Sequence, residues 1–107
     1  MQTDVAITNG VVTGTLHKVT SGALAHDWGE GYFLTLKWDS SAPTGVTSVK
    51  VGLDPSQGSG MVEAINDPDH NGVFKITNPA VQKFVVELNG SKGVQYQRYD
   101  LSQLVFD

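Results

Sequence analysis

The chain has 107 residues, contains no cysteine and carries a formal net charge of −4. This is the length of one domain, and 39% hydrophobic with 17% charged residues is a globular composition rather than a disordered one. The lack of cysteine excludes disulfides, thiolate metal sites and cysteine nucleophiles. The seven lysines and arginines are too scattered to form the basic stripe that nucleic acids or anionic membranes require.

The amino-terminal residues have no secretion-signal pattern, and no apolar run approaches the length that spans a bilayer. We therefore expect no nucleic-acid partner, no membrane partner and synthesis in the cytoplasm.

Residues 1–30 are predicted to form a hairpin or arm followed by a loop, either within the domain or appended to it. Asn9-Gly10 lies between β-branched residues and favours a two-residue hairpin turn, because both turn positions need positive φ. An unpaired arm with a local turn is the alternative. Residues 21–31 break the alternation and predict a loop. Its Trp28 is a candidate partner contact, although we favour a lid that folds back over the end of a core.

Residues 31–107 are predicted to form the β core. Alternation of apolar and polar side chains predicts strands at residues 32–38, 48–53, 73–77 and 83–89. The first of these should be a central strand, and Met61-Val62 should add a short edge strand. Residues 94–99 are more polar and predict a strand near an edge or at an interaction face, so Tyr96 is a second candidate partner contact. The last apolar stretch, residues 101–106, predicts a strand or a short terminal arm.

The fold class follows from these elements. A helical period of 3.6 residues never persists across ten or more residues. About seven short strands separated by turn signals instead predict an all-β single domain, an Ig-like antiparallel β-sandwich. A small β-barrel is the alternative.

The sharpest chemical pattern is Asp67-Pro68-Asp69-His70-Asn71-Gly72, which matches the first half of a calcium-binding loop. Counted from Asp67, the twelfth position holds Asn78 where such a loop needs a bidentate glutamate, and the flanks are predicted strands, which excludes an EF-hand. A β-type calcium site through Asp67, Asp69 and Asn71 is the functional hypothesis. We favour a tight turn in which these side chains bond the local backbone. We therefore expect no cofactor, with calcium as the alternative.

Catalytic patterns are not apparent in the chain. Gly58-Ser59-Gly60 lacks the lysine and the helix start of a phosphate-binding loop. The three histidines, His17, His26 and His70, lie in different segments without ligand spacing, and neighbours such as His26 and Asp27 point apart in extended chain. We therefore predict that the protein is not an enzyme.

Residues 51–106 carry a set of short motifs: Gly52-Leu53-Asp54-Pro55, Gly58-Ser59-Gly60-Met61-Val62, the turn and strand from Asp69 to Ile76, Gln82-Lys83-Phe84, and Tyr99-Asp100-Leu101-Ser102. In these motifs the chain resembles head fibre and head decoration proteins of tailed phages and prophages, small proteins encoded beside the major capsid gene. Residues 1–45 show no such resemblance.

The resemblance implies a non-enzymatic virion structural protein on the outer surface of a phage capsid, made in the bacterial cytoplasm. Its partner would be the major capsid protein, and proteins of this kind are often trimers at symmetry axes of the shell. The alternative function is a β-sandwich binding module, for carbohydrate through exposed aromatics such as Trp28 and Tyr96, or for calcium.

Overall fold

The computed structural model describes residues 4–36, 48–52, 60–65, 72–90 and 93–107. In chain order the elements are β1 (Val5–Thr8), β2 (Val11–Leu16), α1 (Gly22–Trp28), β3 (Tyr32–Thr35), β4 (Ser48–Val51), β5 (Val62–Ala64), β6 (Val73–Ile76), β7 (Lys83–Gly90), β8 (Gly93–Asp100) and β9 (Leu104–Phe106). The strands form two sheets, which confirms the all-β prediction, and one short helix is added to them.

The larger sheet has the strand order β1-β2-β8-β7-β4, and β9 also pairs with β2. The β1–β2 hairpin turns at Asn9 and Gly10 with φ of 51° and 80°, the positive values that the predicted turn requires. β7 and β8 are antiparallel over their whole length. β2, however, pairs in parallel with β8 and with β9, so the sheet is mixed rather than purely antiparallel.

The smaller sheet has the order β3-β6-β5 and is antiparallel. In the described part of the chain β3 pairs with β6 alone, so the prediction of a central strand was wrong. The reason is that β3 is buried on both faces, with Leu34 in the main core and Phe33 in a second apolar cluster. Layers above and below it, rather than strands on both sides, account for its apolar sequence. β5 lies at the other edge, as predicted from Met61-Val62.

The main core lies between the two sheets. Phe84, Val86 and Leu88 of β7 are completely buried and belong to one cluster with Leu34 of β3 and Phe74 of β6. The Phe84 ring centroid lies 6.2 Å from that of Phe74. Complete burial of each such side chain contributes about 1.5–3 kcal/mol. Side chains from both sheets therefore form one hydrophobic core between them, as in a β-sandwich.

A third layer is formed by α1, where the sequence predicted a loop, and that prediction was wrong. Leu24 and Trp28 lie one helical turn apart and pack with Phe33, Ile65 and Val73 on the outer face of the smaller sheet. The helix has only seven residues, which is too short for a period of 3.6 residues to be recognised in the sequence. A helix of this length is stabilised by tertiary packing rather than by the helix propensity of its residues. Within the described ranges, helices fall short of the length and apolarity needed to cross a membrane.

Candidate functional site

β8 presents two neighbouring apolar side chains to solvent. Val94 is 54% exposed and Tyr96 is 52% exposed. Side chains alternate along a strand, so both lie on the outer face of the larger sheet, whereas Tyr99 has the opposite parity and is buried in the core. The other large exposed apolar side chains of the described ranges, Ile7 and Val105, lie on different strands, β1 and β9.

The hydrogen bonds at the end of β8 show which way its backbone groups point. The Leu101 N–H donates to the Gln82 carbonyl on the β7 side, over 2.6 Å. The Asp100 N–H donates in the opposite direction, to the Gly10 carbonyl, over 2.7 Å. Successive residues of a strand direct their backbone groups to opposite sides. The even-numbered residues of β8 therefore direct their N–H and C=O groups away from β7.

This parity leaves an open edge along β8. Val94 and Tyr96 are even-numbered, so their backbone groups point away from β7, towards the side of β8 on which β2 lies. β2 meets β8 at the single pair Val11↔Asp100. Among the described residues, no strand lies beside residues 93–97 on this side. The exposed apolar side chains and the open backbone edge therefore occur on the same five residues, which we call the β8 edge.

The turn of the β1–β2 hairpin closes one end of the β8 edge. A Cβ on Gly10 would lie only 2.3 Å from the Arg98 carbonyl oxygen, so the turn is in direct backbone contact with β8. A cavity of about 380 Å³ opens there, lined by Asn9, Gly10, Val11, Lys83, Phe84, Arg98, Tyr99 and Asp100. The charged side chains in this lining are the cations Lys83 and Arg98 and the carboxylate Asp100.

The carboxylate in the cavity is bonded within its own turn. Asp100 Oδ1 accepts hydrogen bonds from the Ser102 hydroxyl, over 2.6 Å, and from the Ser102 N–H, over 2.9 Å. These bonds, the hydroxyl first, lower the pKa of Asp100, and the positive charge of Lys83 adds to the effect. Asp100 is therefore ionised at neutral pH, and one of its oxygens is already engaged.

A second polar cluster is centred on His17. Its Nε2 lies 2.8 Å from a carboxylate oxygen of Asp4, and its Nδ1 lies 2.5 Å from one of Asp107. Hydrogen bonds to Asp107 and then Asp4 raise the pKa of His17, because only the protonated ring donates from both nitrogens. Sequence reasoning missed this cluster: the partners are 13 and 90 residues away, and no local pattern joins them.

Trp28 lies at the carboxyl end of α1, with its side chain packed on the second apolar cluster. Its indole nitrogen is buried and has no hydrogen-bond partner within the described residues. Trp28 therefore covers the outer face of the smaller sheet, whereas the sequence favoured a lid over the end of a core. Contact of Trp28 with a partner stays a prediction.

Asp67, Asp69 and Asn71 lie outside the described residues, so the calcium hypothesis stays a prediction. Within the described ranges, no group of three or more His, Asp or Glu side chains is arranged to hold a metal ion. His26 Nδ1 lies 2.9 Å from Asp27 Oδ1, which corrects the expectation that these side chains diverge. The backbone there is helical, so successive side chains are about 100° apart instead of opposite.

A comparison with known proteins found no matching family model, no similar curated sequence and no similar solved structure.

Proposed function

We propose that this chain is a non-enzymatic structural protein of a phage virion that binds the outer surface of the capsid. Its partner is the major capsid protein, and it acts as a homo-oligomer, with a trimer as the expected state. It is made in the bacterial cytoplasm and reaches the virion by assembly. The resemblance of residues 51–106 to head fibre and head decoration proteins supports this proposal.

The observation that carries the proposal is the pair of exposed apolar side chains on β8. Tyrosine is enriched among the residues that dominate binding energy at protein interfaces. Val94 and Tyr96 are held on a strand that pairs with β7 along its whole length, rather than on a loop. A rigid strand presents its side chains in one geometry, so little conformational entropy is lost on binding.

The surroundings of the pair also suit a protein contact. Tyr96 lies opposite Glu87 of β7, and the Glu87 carboxylate lies 3.7 Å from the Lys50 ammonium of β4. An apolar centre with a polar border is the usual anatomy of a non-obligate interface. We therefore assign the contact with the capsid to the outer face of β8 and its immediate neighbours.

Co-sedimentation with purified capsids of the parent phage tests the proposal. The double variant Val94→Ser/Tyr96→Ser should bind capsids at least about tenfold more weakly than the wild type, because it removes the apolar centre of the contact. Val105→Ser is the matched control, since Val105 is 57% exposed but lies on β9. The control should bind as the wild type does.

Two results would contradict the proposal at different levels. A wild-type chain that does not co-sediment with capsids rules out the capsid function. Wild-type binding that the double variant retains shows that the contact lies elsewhere on the molecule. Light scattering of the free chain tests the trimer, and a strictly monomeric mass both in solution and on capsids would overturn that part.

A further inference from the structure

We infer that the β8 edge accepts an extended segment of a partner protein as an added antiparallel strand, with an acidic side chain of that segment beside Lys83 and Arg98. This inference deepens the proposed function and rests on it only for the identity of the partner. It concerns the backbone of β8, whereas the proposed function rests on its side chains.

The first argument is the pairing capacity of the edge. Val94 and Tyr96 each direct one N–H donor and one C=O acceptor away from β7, as the bonds of Leu101 and Asp100 establish. Two residues of this parity supply four hydrogen-bonding groups at the spacing that an added strand matches. Main-chain bonds of this kind give the affinity when a peptide adds to a sheet edge.

The second argument is that residues 93–97 themselves carry none of the usual protections of an edge strand. Edge strands in soluble proteins usually avoid pairing by carrying charges or proline, or by being very short or bulged. Residues 93–97 read Gly-Val-Gln-Tyr-Gln, without charge or proline, and the pairing with β7 runs through them without a bulge. The exposed Val94 and Tyr96 side chains supply the cross-strand contacts that stabilise a paired strand.

The third argument is charge, and it selects the occupant. The β8 edge itself is uncharged, but at its closed end Lys83 and Arg98 line the cavity next to Gly10. Asp100, the one carboxylate there, is engaged by Ser102. With two cationic side chains against one carboxylate, the cavity lining is net positive in a chain of net charge −4. An incoming carboxylate complements this end of the edge, whereas a lysine or arginine would be repelled.

For an antiparallel segment, the position of the acidic residue follows from the direction of β8. β8 runs from its open end at residue 93 towards the cavity at Arg98 and Asp100. An antiparallel segment therefore places its amino-terminal residues beside the cavity. The contact between Gly10 and the Arg98 carbonyl stops the segment there. The acidic residue is expected at the amino-terminal end of the bound stretch.

A titration of the intact, isotope-labelled chain with a synthetic peptide tests the inference by NMR without any capsid. The peptide is capped and alternates valine with threonine, with one glutamate at its amino-terminal end. The amide signals of Val94 and Tyr96 should shift more than those of β4, the edge strand on the far side of β7. A peptide with glutamine in place of glutamate should bind about twofold to fivefold more weakly, the usual effect of losing one solvent-exposed ion pair.

Variants of the chain separate backbone pairing from side-chain contact. Val94→Pro removes an N–H that points away from β7, so the hydrogen bonds of the β7–β8 hairpin are kept. It should weaken peptide binding at least about tenfold relative to Val94→Ser, which loses the same apolar side chain but keeps the N–H. Lys83→Gln should reduce the preference for glutamate over glutamine, because Arg98 alone then faces the peptide carboxylate.

A modified peptide keeps the test valid even if Val94→Pro does not fold. N-methylation on the peptide edge that faces β8 should abolish binding, while N-methylation on the other edge should have little effect. Equal effects of the two modifications, or equal binding by Val94→Pro and Val94→Ser, would overturn the inference. So would self-association through this edge, seen as a doubled mass that Val94→Pro abolishes. Peptide binding without capsid binding would reject the proposed function and leave this inference standing.

Discussion

At the scale of single residues, one glycine fixes how β1 lies on β2. Gly14 pairs with Val5, and the next residue, Thr15, donates its N–H to the Asp4 carbonyl over 3.1 Å. Gly14 has a φ of +104°, and a Cβ there would lie 1.9 Å from the Asp4 carbonyl oxygen. A side chain at this position would therefore force the hairpin apart, in addition to the strain of the positive φ.

We predict that Gly14→Ala destabilises the fold by about 4 kcal/mol or more, since steric overlap adds to the backbone strain. Gly93→Ala is the matched control. Gly93 also has a positive φ, +118°, but nothing lies within 4 Å of its added Cβ. The control should cost about 1–3 kcal/mol, the strain alone. Urea denaturation of both variants measures the difference in the free energy of unfolding. Equal losses of stability would show that the backbone at Asp4 moves away from the new side chain without cost.

At the scale of elements, α1 depends on a cation from the sheet below it. Lys75 of β6 donates from Nζ to the Trp28 carbonyl over 2.7 Å, and Nζ lies 5.9 Å from the centroid of the Phe33 ring. A Cβ on Gly29 would approach Nζ to 3.1 Å, so the chain after the helix passes close over the lysine. A positive charge at the carboxyl end of a helix bonds an otherwise unpaired carbonyl and favours the helix dipole.

We predict that Lys75→Met weakens α1, because it keeps an apolar stem on the sheet but leaves the Trp28 carbonyl without this bond. A bond to a charged group contributes about 1.5–3 kcal/mol, so amide exchange in α1 should accelerate correspondingly. Lys50→Met is the control, because the Lys50 side chain is 66% exposed in its pair with Glu87, and such pairs contribute about 0–1 kcal/mol. Unchanged exchange at the Gly29 amide, which bonds the Ala25 carbonyl, would contradict the prediction.

At the scale of the whole molecule, the His17 cluster joins distant parts of the chain. His17 follows β2, Asp4 precedes β1 and Asp107 follows β9, all in the larger sheet. Tyr32, the first residue of β3, donates its hydroxyl to the Asp107 carbonyl, and its ring contacts Phe106 edge-on at 5.1 Å. The cluster therefore connects three strands of the larger sheet to the first strand of the smaller one.

We predict that this connection depends on pH. The folded-state pKa of His17 is raised above its unfolded value of about 6.5. The stabilisation is therefore complete below the unfolded pKa and is lost as the pH rises through the raised folded value. His17→Asn should lower the urea midpoint more at about pH 6 than at about pH 9.

His26→Asn serves as the control, because the His26 side chain is 87% exposed on α1 and joins no other element. The decrease in the urea midpoint caused by His17→Asn, relative to this control, should become steadily smaller as the pH rises. An effect of constant size across the range would show that the cluster does not stabilise the protonated form.

The candidate site was predictable in part. The polar character of residues 94–99 predicted a strand near an edge or at an interaction face, and Tyr96 is exposed on that strand. The open edge was not predictable, because it depends on where the β1–β2 turn lies relative to β8. That turn is almost ninety positions earlier in the sequence, and it contacts β8 at Arg98 and Asp100.

The sequence by itself determined the local features: the Asn9-Gly10 turn, the buried alternation of β7 and the all-β class. These depend on backbone sterics and side-chain period, which act over a few residues. Tertiary structure alone decided that residues 22–28 are helical, that β3 pairs only with β6 among the described strands, that β2 pairs in parallel and that His17 meets two carboxylates. Each of these depends on which distant surfaces pack together, and hydrophobic burial is non-directional, so alternation reveals that a face is buried but not what buries it.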